Sequence, residues 1–418
     1  MGWFRKPILL LHKFFSAIES FYKGKKHRSQ VFLRALLATI MGVGLSTCLV
    51  QPLSMTISAM FSSPEKRDFQ LPDLFAQIAN NRPVRQLDPR VVVVNIARAN
   101  RQEIAEGLSI LALCGPKTVG VDINFAEPSG DDDLLLEAIS NLPNPILPIG
   151  VSPTKTDGRF LVEEKPFFYN ELPDLKYGVV NLPSQEKGTV REFAINFPTD
   201  YGNLPSFVAA IAEDFNPGSI EFLNSKNSET GITSYHSREY KIVDIDNIEE
   251  HAEEFTDKIV LVGAMEDAGD MHATPIESHV AGVMIHAAAI STILDGLWTE
   301  RVPKFFDYIL AGLLCLSIMI LVYAINPAFK GIVLRFVQAL LAFLAVRIGY
   351  ELFIEHNLIF DLSYTLSIIA FGLFAADIWN SIEAMWKNSL KKLRESASKI
   401  VPKEEEREED LKIRTNIV

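Results

Sequence analysis

The chain contains four apolar runs that are long enough to cross a lipid bilayer, and they bracket one long polar stretch. The first run covers residues 31–51, and the other three cover residues 306–325, 332–353 and 358–379. A membrane-spanning helix needs about 20 mainly apolar residues, which each run supplies. The sequence therefore predicts one transmembrane helix before and three after a globular region at residues 62–303.

Basic residues lie beside the first and the last run, and they set the orientation. Residues 1–30 carry lysines and arginines with a single acid, Glu19, and several lysines follow the last run, at Lys387, Lys391 and Lys392. Segments next to spans are enriched in Lys and Arg on the cytoplasmic side. Both termini are thus predicted to be cytoplasmic and the globular region extracytoplasmic.

The tail at residues 380–418 is predicted to be a cytoplasmic helical stalk that ends in a charged segment. Apolar residues recur there every seven positions, at Trp379, Trp386, Leu393 and Ile400. That spacing is typical of a short parallel coiled coil, so a homodimer is a possible assembly.

The net charge argues against a nucleic-acid-binding protein, and the cysteine content argues against a domain held by disulfides. The net charge of −12 disfavours a nucleic-acid partner, which would need a concentrated basic surface. Of the three cysteines only Cys114 lies in the globular region, so no disulfide within that region is expected.

Short runs rich in Val and Ile alternate with helical patterns through the globular region. This alternation predicts βαβ units and a mainly parallel sheet flanked by helices, an α/β fold. The predicted strands are at residues 91–96, 118–122, 145–150, 177–182 and 191–197, and the predicted helices at 101–113, 131–140 and 206–215. We expect residues 62–90 to be an exposed polar lead-in and residues 218–249 to be a peripheral insertion.

The region closes with a strand, a polar loop and a helix. The apolar run at residues 259–262 stops at Gly263 and predicts a strand that is buried on both faces. A polar loop follows at residues 264–279, at the strand's carboxyl end, where open α/β sheets usually bind ligands. Apolar residues then recur at helical spacing from Val280 to a capping glycine, Gly296.

Three segments resemble the second type of CHASE domain, an extracytoplasmic sensory module of bacterial cyclases, histidine kinases and serine/threonine kinases. The first segment is VGVDINFAEP, followed by DDDLLLEAI. The second is YGVVNLP, followed by GTVREF. The third is KIVLVG, followed by the GD and ATP motifs and by the helix AGVMIHAAAISTILDG. The resemblance assigns signature positions to Gly263, Gly269, Pro275, Gly282, His286 and Arg191. The first strand of the family commonly ends in an acidic residue, whereas this strand ends in Asn95.

Asp122, Asp270, His272 and Thr274 are the candidate ligand-binding residues, because they lie at strand ends or in the closing loop. His272 and His279 flank a proline-bearing loop instead of standing four apart on a helix, so we expect no metal and no cofactor. His286 lies on the apolar face of the closing helix and is expected to be a core histidine. No phosphate loop, GxSxG elbow or CxxC pair is present for covalent catalysis.

These observations predict a non-enzymatic sensor in the bacterial cell inner membrane, a stand-alone relative of the CHASE proteins. It would pass an extracytoplasmic stimulus through its transmembrane helices to a separate inner-membrane or cytoplasmic effector. Two alternatives stay open. One is an extracytoplasmic metal-dependent hydrolase that uses Asp122, Asp270 and His272, and the other is an envelope scaffold without a small ligand.

Overall fold

The computed structural model of the chain divides into two compact units. It describes residues 27–61, 70–81, 86–130, 132–153, 159–172, 174–183, 188–221, 230–235, 238–297, 299–324 and 330–415. The helical unit consists of Met1–Ser54, Pro303–Ile348 and Asp361–Val418. The sheet unit consists of Met55–Val302 together with Gly349–Phe360, which connects the last two apolar helices.

Nine α-helices and fifteen strands are found in these described ranges. The helices are α1 His27–Phe61, α2 Leu71–Asn80, α3 Arg101–Leu113, α4 Asp132–Asn141, α5 Phe207–Phe215, α6 Gly282–Leu294, α7 Lys304–Ala324, α8 Lys330–His356 and α9 Ser363–Thr415. The strands are β1 Gln86–Asn95, β2 Thr118–Asp122, β3 Pro145–Pro153, β4 Phe160–Glu164, β5 Lys176–Val179, β6 Glu192–Ala194, β7 Asn196–Thr199, β8 Gly202–Pro205, β9 Thr230–Ile232, β10 Arg238–Asp244, β11 Ile259–Gly263, β12 Met271–His272, β13 Val280–Ala281, β14 Glu300–Arg301 and β15 Leu358–Ile359.

The sheet unit is built on one mixed sheet whose central strands are parallel. Its order is β10-β1-β11-β2-β3-β4-β7-β8, with β5 also paired to β3. Strands β10, β1, β11, β2, β3 and β5 run parallel, while β4 and β8 introduce antiparallel pairs. The predicted α/β class with a mainly parallel sheet is confirmed.

Alternate residues of the central strands point to opposite faces of the sheet and pack in two separate hydrophobic cores. On one face, Val92 and Val94 pack with α3 and α4 residues such as Leu108 and Leu135. On the other face, Val91 and Val93 pack with residues of α5 and α6. A strand with helices on both faces can have no polar side, which explains the unbroken apolar runs in the sequence.

The expected exposed lead-in at residues 62–90 is wrong in part, because residues 71–80 form α2. This helix buries Phe75 and Ala79 on its apolar positions and also buries Asp73. β1 then begins at Gln86, before the predicted start at residue 91. Residues 62–69 lie outside the described part of the chain.

The expected peripheral insertion at residues 218–249 contains a strand of the main sheet. β10 pairs in parallel with β1 and forms an edge of the sheet. All but one of its residues are half-exposed or exposed, because an edge strand is only partly covered. This is why its sequence lacks a strong apolar period.

In the part of the chain that the structure describes, four helices are long and apolar enough to span a membrane, at Ser29–Cys48, Lys304–Ala324, Gly331–His356 and Ser363–Ser389. The prediction of one amino-terminal and three carboxyl-terminal spans is confirmed. The last span begins later than residue 358, because Leu358–Ile359 is strand β15. Asp307 of α7 accepts hydrogen bonds from the backbone N–H groups of Tyr364 and Thr365, and so caps the first turn of α9.

The apolar residues that begin the seven-residue pattern of the tail pack inside the helical unit. Trp379, Ile382 and Trp386 of α9 pack in a cluster that includes Ala35 and Ala38 of α1. Arg34 of α1 also forms an ion pair with Glu383, at 2.7 Å. The first residues of the seven-residue pattern therefore contact helices of the same chain. The first 26 residues of the chain lie outside the part that the structure describes.

At the amino end of β1, four charged side chains form one network. The Asp88 carboxylate is fully buried and accepts hydrogen bonds from Arg90 Nε at 3.0 Å and from Arg238 of β10 at 2.8 Å. Asp295, at the end of α6, pairs with both arginines. Burial alone would raise the pKa of Asp88, but the hydrogen bonds from Arg90 lower the pKa to about 2.

We expect Asp88→Asn to lower the free energy of unfolding at pH 7 by about 2 to 4 kcal/mol, because the variant leaves two guanidinium groups without their buried partner. A depressed native pKa gives stability that is complete above the unfolded pKa and is lost as the pH falls towards 2. The difference from the wild type should therefore shrink in acid. Denaturant unfolding at several pH values measures it, with the exposed Asp246→Asn as control; equal losses for the two variants would contradict the prediction.

Candidate functional site

The candidate site lies at the carboxyl edge of the sheet, between β11 and β2. The chain leaves β2 towards α4 on one face and leaves β11 towards α6 on the other face. Adjacent parallel strands whose connections leave to opposite faces create a crevice where α/β proteins usually bind ligands. Asp122 ends β2, and the loop after β11 contains Asp270, His272 and Thr274.

Gly263 allows Asp122 and α6 to approach each other at this edge. It is paired in register with Asp122 across β11 and β2. A Cβ atom at position 263 would lie 3.1 Å from the Cβ of Val283 in α6 and 3.4 Å from the Cβ of Asp122. A side chain here would push the helix away from the strand.

The Asp270 carboxylate joins the loop to the start of α6. One oxygen accepts a hydrogen bond from the backbone N–H of Gly282 at 3.1 Å, and the other lies 2.9 Å from His272 Nε2. An anion at this position is favoured by the unpaired N–H groups and dipole of a helix amino terminus. A Cβ at Gly282 would overlap this carboxylate, so glycine is required for the contact.

His286 approaches the same site from inside α6. The residue is 4% exposed, and its Nε2 lies 3.8 Å from an oxygen of Asp122. Its ring packs edge-on against Phe207. Among the described residues its Nδ1 has no hydrogen-bond partner. His286 is thus a core histidine, as expected, but one that faces a buried acid.

Asp122 is the most perturbed acid of the group. Burial raises the pKa of its carboxyl above the ordinary range, His286 opposes this rise, the Asp270 charge adds to it, and His272 opposes it. Two carboxyls and two imidazoles therefore share one partly buried site. This arrangement can hold or release a proton, or hydrogen-bond a polar ligand.

The next strand pair along the edge supplies a carboxylate from an unexpected position. Asn95 at the end of β1 donates a hydrogen bond to Asp244 of β10 at 3.0 Å, and the two residues are in register. The Asn95 side-chain oxygen accepts from the backbone N–H of Met265 in the closing loop. Polar side chains thus end β10, β1 and β2 along this edge, and Gly263 ends β11 between them.

Thr274 and Pro275 form a tight turn at the far end of the loop. Thr274 is fully buried, and its side chain both donates to the carbonyl of Glu277 and accepts from the N–H of Glu277. The carbonyl of Pro275 accepts a hydrogen bond from Gln77 of α2 at 2.9 Å. Thr274 is therefore used in a local turn, away from the pair formed by Asp270 and His272.

Arg191 is a buried cation with a partner that sequence patterns did not reveal. Its guanidinium forms a bidentate pair with Asp73 of α2, at 2.8 and 2.7 Å. The neighbouring Val190 N–H donates to the carbonyl of Ala273 in the closing loop. Arg191 thus connects α2 to the strand that borders the loop. The local signals for this helix were the capping pattern around Asp73, Pro72 in the first turn and the apolar spacing of Phe75, Ala76 and Ala79.

No group of three or more His, Cys, Asp or Glu side chains in the described ranges is arranged to hold a metal ion. The pair formed by Asp270 and His272 is turned towards the amino end of α6.

The architecture defines a membrane-anchored α/β domain that is followed in the chain by further apolar helices. Comparison with known protein families matches residues 54–324 to the CHASE2 domain, so the chain belongs to the CHASE2 family. CHASE2 is a family of sensory extracellular domains, which supports a sensor role for this membrane protein. Searches of curated proteins and of solved structures find no match.

We expect Asp122→Asn to raise the melting temperature of the chain at neutral pH. A native pKa above the unfolded value gives stability that is present in acid and is lost as the pH rises through the native pKa. Ionised Asp122 therefore destabilises the domain at neutral pH, and the amide removes that charge. Thermal unfolding across pH should show the advantage shrinking in acid. The exposed loop variant Glu266→Gln is the control, and a destabilised Asp122→Asn at neutral pH would contradict the prediction.

Proposed function

We propose that this protein is a bacterial inner-membrane sensor that transmits an extracytoplasmic stimulus through its membrane helices to a separate effector. The observation that carries the proposal is the position of α2 in the sheet unit. This helix contacts the candidate site's loop on one side and the carboxyl end of α8, within Gly349–Phe360, on another. A change in the loop therefore has a direct route to the membrane helices.

The residues of α2 that contact Arg191 and the closing loop lie one helical turn apart. Asp73 pairs with Arg191, and Gln77 bonds to Pro275. Residues four apart lie on the same face of a helix. This face of α2 is thus fixed by one buried ion pair and one hydrogen bond to the loop.

The other contact comes from Phe75, about 200° around the helix from Asp73 at 3.6 residues per turn. Its ring lies 6.0 Å from the ring of Tyr350 and 6.2 Å from that of Phe353. Both partners are in the last turns of α8, within Gly349–Phe360, the part of the sheet unit that leads from α8 to α9. Aromatic packing of this kind holds two elements at a defined distance.

A second connection to this segment is made by backbone pairing. Glu300 donates its N–H to the carbonyl of Asn357, and Val302 donates to that of Ile359, both at 2.9 Å. These bonds join β14, which precedes α7, to β15, which precedes α9. The segments that precede two membrane helices are thus tied together within the sheet unit. A small shift of α2 or β14 changes how these helices begin.

The basic segments beside the first and last spans support cytoplasmic termini. Helix α9 continues to Thr415, so its last part offers a helix that an effector or a second copy of the chain could bind. A binding stimulus would act by favouring one of two packings that differ by a few kcal/mol.

The proposed orientation is tested by cysteine labelling in whole cells. In a chain whose native cysteines are replaced by serine, the exposed Ser109→Cys should react with a membrane-impermeant maleimide. Ser389→Cys, which is also exposed, should react only after cell lysis. Labelling of Ser389→Cys but not Ser109→Cys in intact cells would overturn the orientation and the sensing proposal with it.

The proposed route is tested by hydrogen exchange on the full chain in nanodiscs. Asp270→Asn weakens the cap on α6 and should change exchange both in residues 264–281 and in residues 349–360. In the double variant with Phe75→Leu, which keeps most of the apolar volume, the loop should still respond while residues 349–360 no longer do. The half-exposed Ile78→Ala on the same helix is the matched control and should leave the response intact. A response of residues 349–360 that is unchanged by Phe75→Leu, or absent with Asp270→Asn alone, would refute the route.

A further inference from the structure

A second recess in the sheet unit lies at the opposite edge of the sheet from the candidate site. It is an open cleft of about 610 Å3 beside the start of β1, the start of β10 and the end of α6. Small-molecule sites usually measure about 300 to 1,000 Å3, so the cleft has the size of a ligand site. Neither the CHASE2 assignment nor the proposed route through α2 gives it a role.

The charged network of Asp88 holds two arginines in fixed positions on the wall of this cleft. Asp88 binds Nε and one terminal nitrogen of Arg90 and one terminal nitrogen of Arg238. The two arginine side chains remain 28% and 21% exposed. Among the described residues, no acceptor bonds to the second terminal nitrogen of Arg90 or to the Nε of Arg238, so both guanidiniums keep N–H donors for a ligand.

The exposed charges of the wall are of both signs. The carboxylate of Asp88 is buried beneath the arginines, whereas Asp295 is 21% exposed and lines the same cleft. A ligand would therefore meet two guanidiniums and one carboxylate. A carboxylate group fits the free N–H donors of the arginines, and an ammonium group fits Asp295.

The rest of the wall is apolar. Leu87, Leu297 and Ile354 line the cleft together with the charged residues, and Leu87 is more than half exposed. These side chains would cover a hydrocarbon group of a ligand and gain roughly 25 cal/mol for each Å2 of apolar surface removed from water.

We propose that this cleft binds a free α-amino acid with an apolar side chain. The carboxylate takes the uncommitted donors of Arg90 and Arg238, the ammonium group pairs with Asp295, and the side chain contacts Leu87, Leu297 and Ile354. The network exists without the ligand, so the charges are preorganised and little order is lost on binding. The inference does not depend on the proposed function, because binding can be measured whether or not the chain signals.

The experiment uses the full chain in nanodiscs with leucine, isoleucine, valine, methionine and phenylalanine as separate probes. We expect at least one of them to raise the melting temperature and to give a saturable calorimetric isotherm with one site per chain. The N-acetyl and the carboxamide derivatives of that amino acid should bind about tenfold more weakly or worse, because each lacks one charged group. Equal binding of either derivative would overturn the zwitterion assignment, and no binding of any probe would show that the network is only structural.

The location is tested without breaking the network. Leu87→Trp fills the cleft from an exposed position and should abolish the isotherm while the melting temperature of the free protein stays unchanged. Ile242→Trp, at an exposed position of the edge strand β10 outside the cleft, is the matched control and should bind as the wild type does. Wild-type binding by Leu87→Trp would place the amino acid elsewhere and refute the proposed cleft.

Discussion

The buried ion pair between Arg191 and Asp73 fixes the element that connects the two ends of the sheet unit. Removing two charges from water costs several kcal/mol for each ion, and close bidentate geometry offsets this penalty. The pair can therefore exist only if α2 is held against the segment that carries Arg191, directly before β6. With α2 in that place, Gln77 reaches the closing loop and Phe75 reaches the segment before the last membrane helix. The route proposed for signalling thus follows from one electrostatic requirement.

The sequence predicted the parts of the fold that depend on local pattern. The unbroken apolar runs of β1 and β11 are explained by helices on both faces, and α3 begins and ends at the predicted residues 101 and 113. Asp122 at a strand end and the polar loop after Gly263 were identified as a site for the same reason, because strand ends and loops are visible along the chain. Their meeting with His286 depended on the order of the strands, which no local pattern contains.

The parts that the sequence did not reveal all depend on partners far away in the chain. Asp73 looks like an exposed cap residue until its guanidinium partner, more than a hundred positions later, is known. β10 looks like an insertion because an edge strand needs little apolar period, and only its pairing with β1 makes it part of the sheet. Asn95 seemed to lack the acid of the family pattern, but Asp244 supplies a carboxylate from the adjacent strand. The network of Asp88 likewise joins three elements that are remote in sequence.

The pairing of β14 with β15 also has a consequence for biosynthesis. Ile359 is translated only after two complete apolar helices have followed Arg301, yet the two residues are neighbours in the folded protein. The edge of the domain formed by β14 therefore stays open while α7 and α8 enter the bilayer, and it closes only when the ribosome has passed residue 359. Pairing of β14 with β15 therefore completes this part of the domain only after both intervening helices have been synthesised.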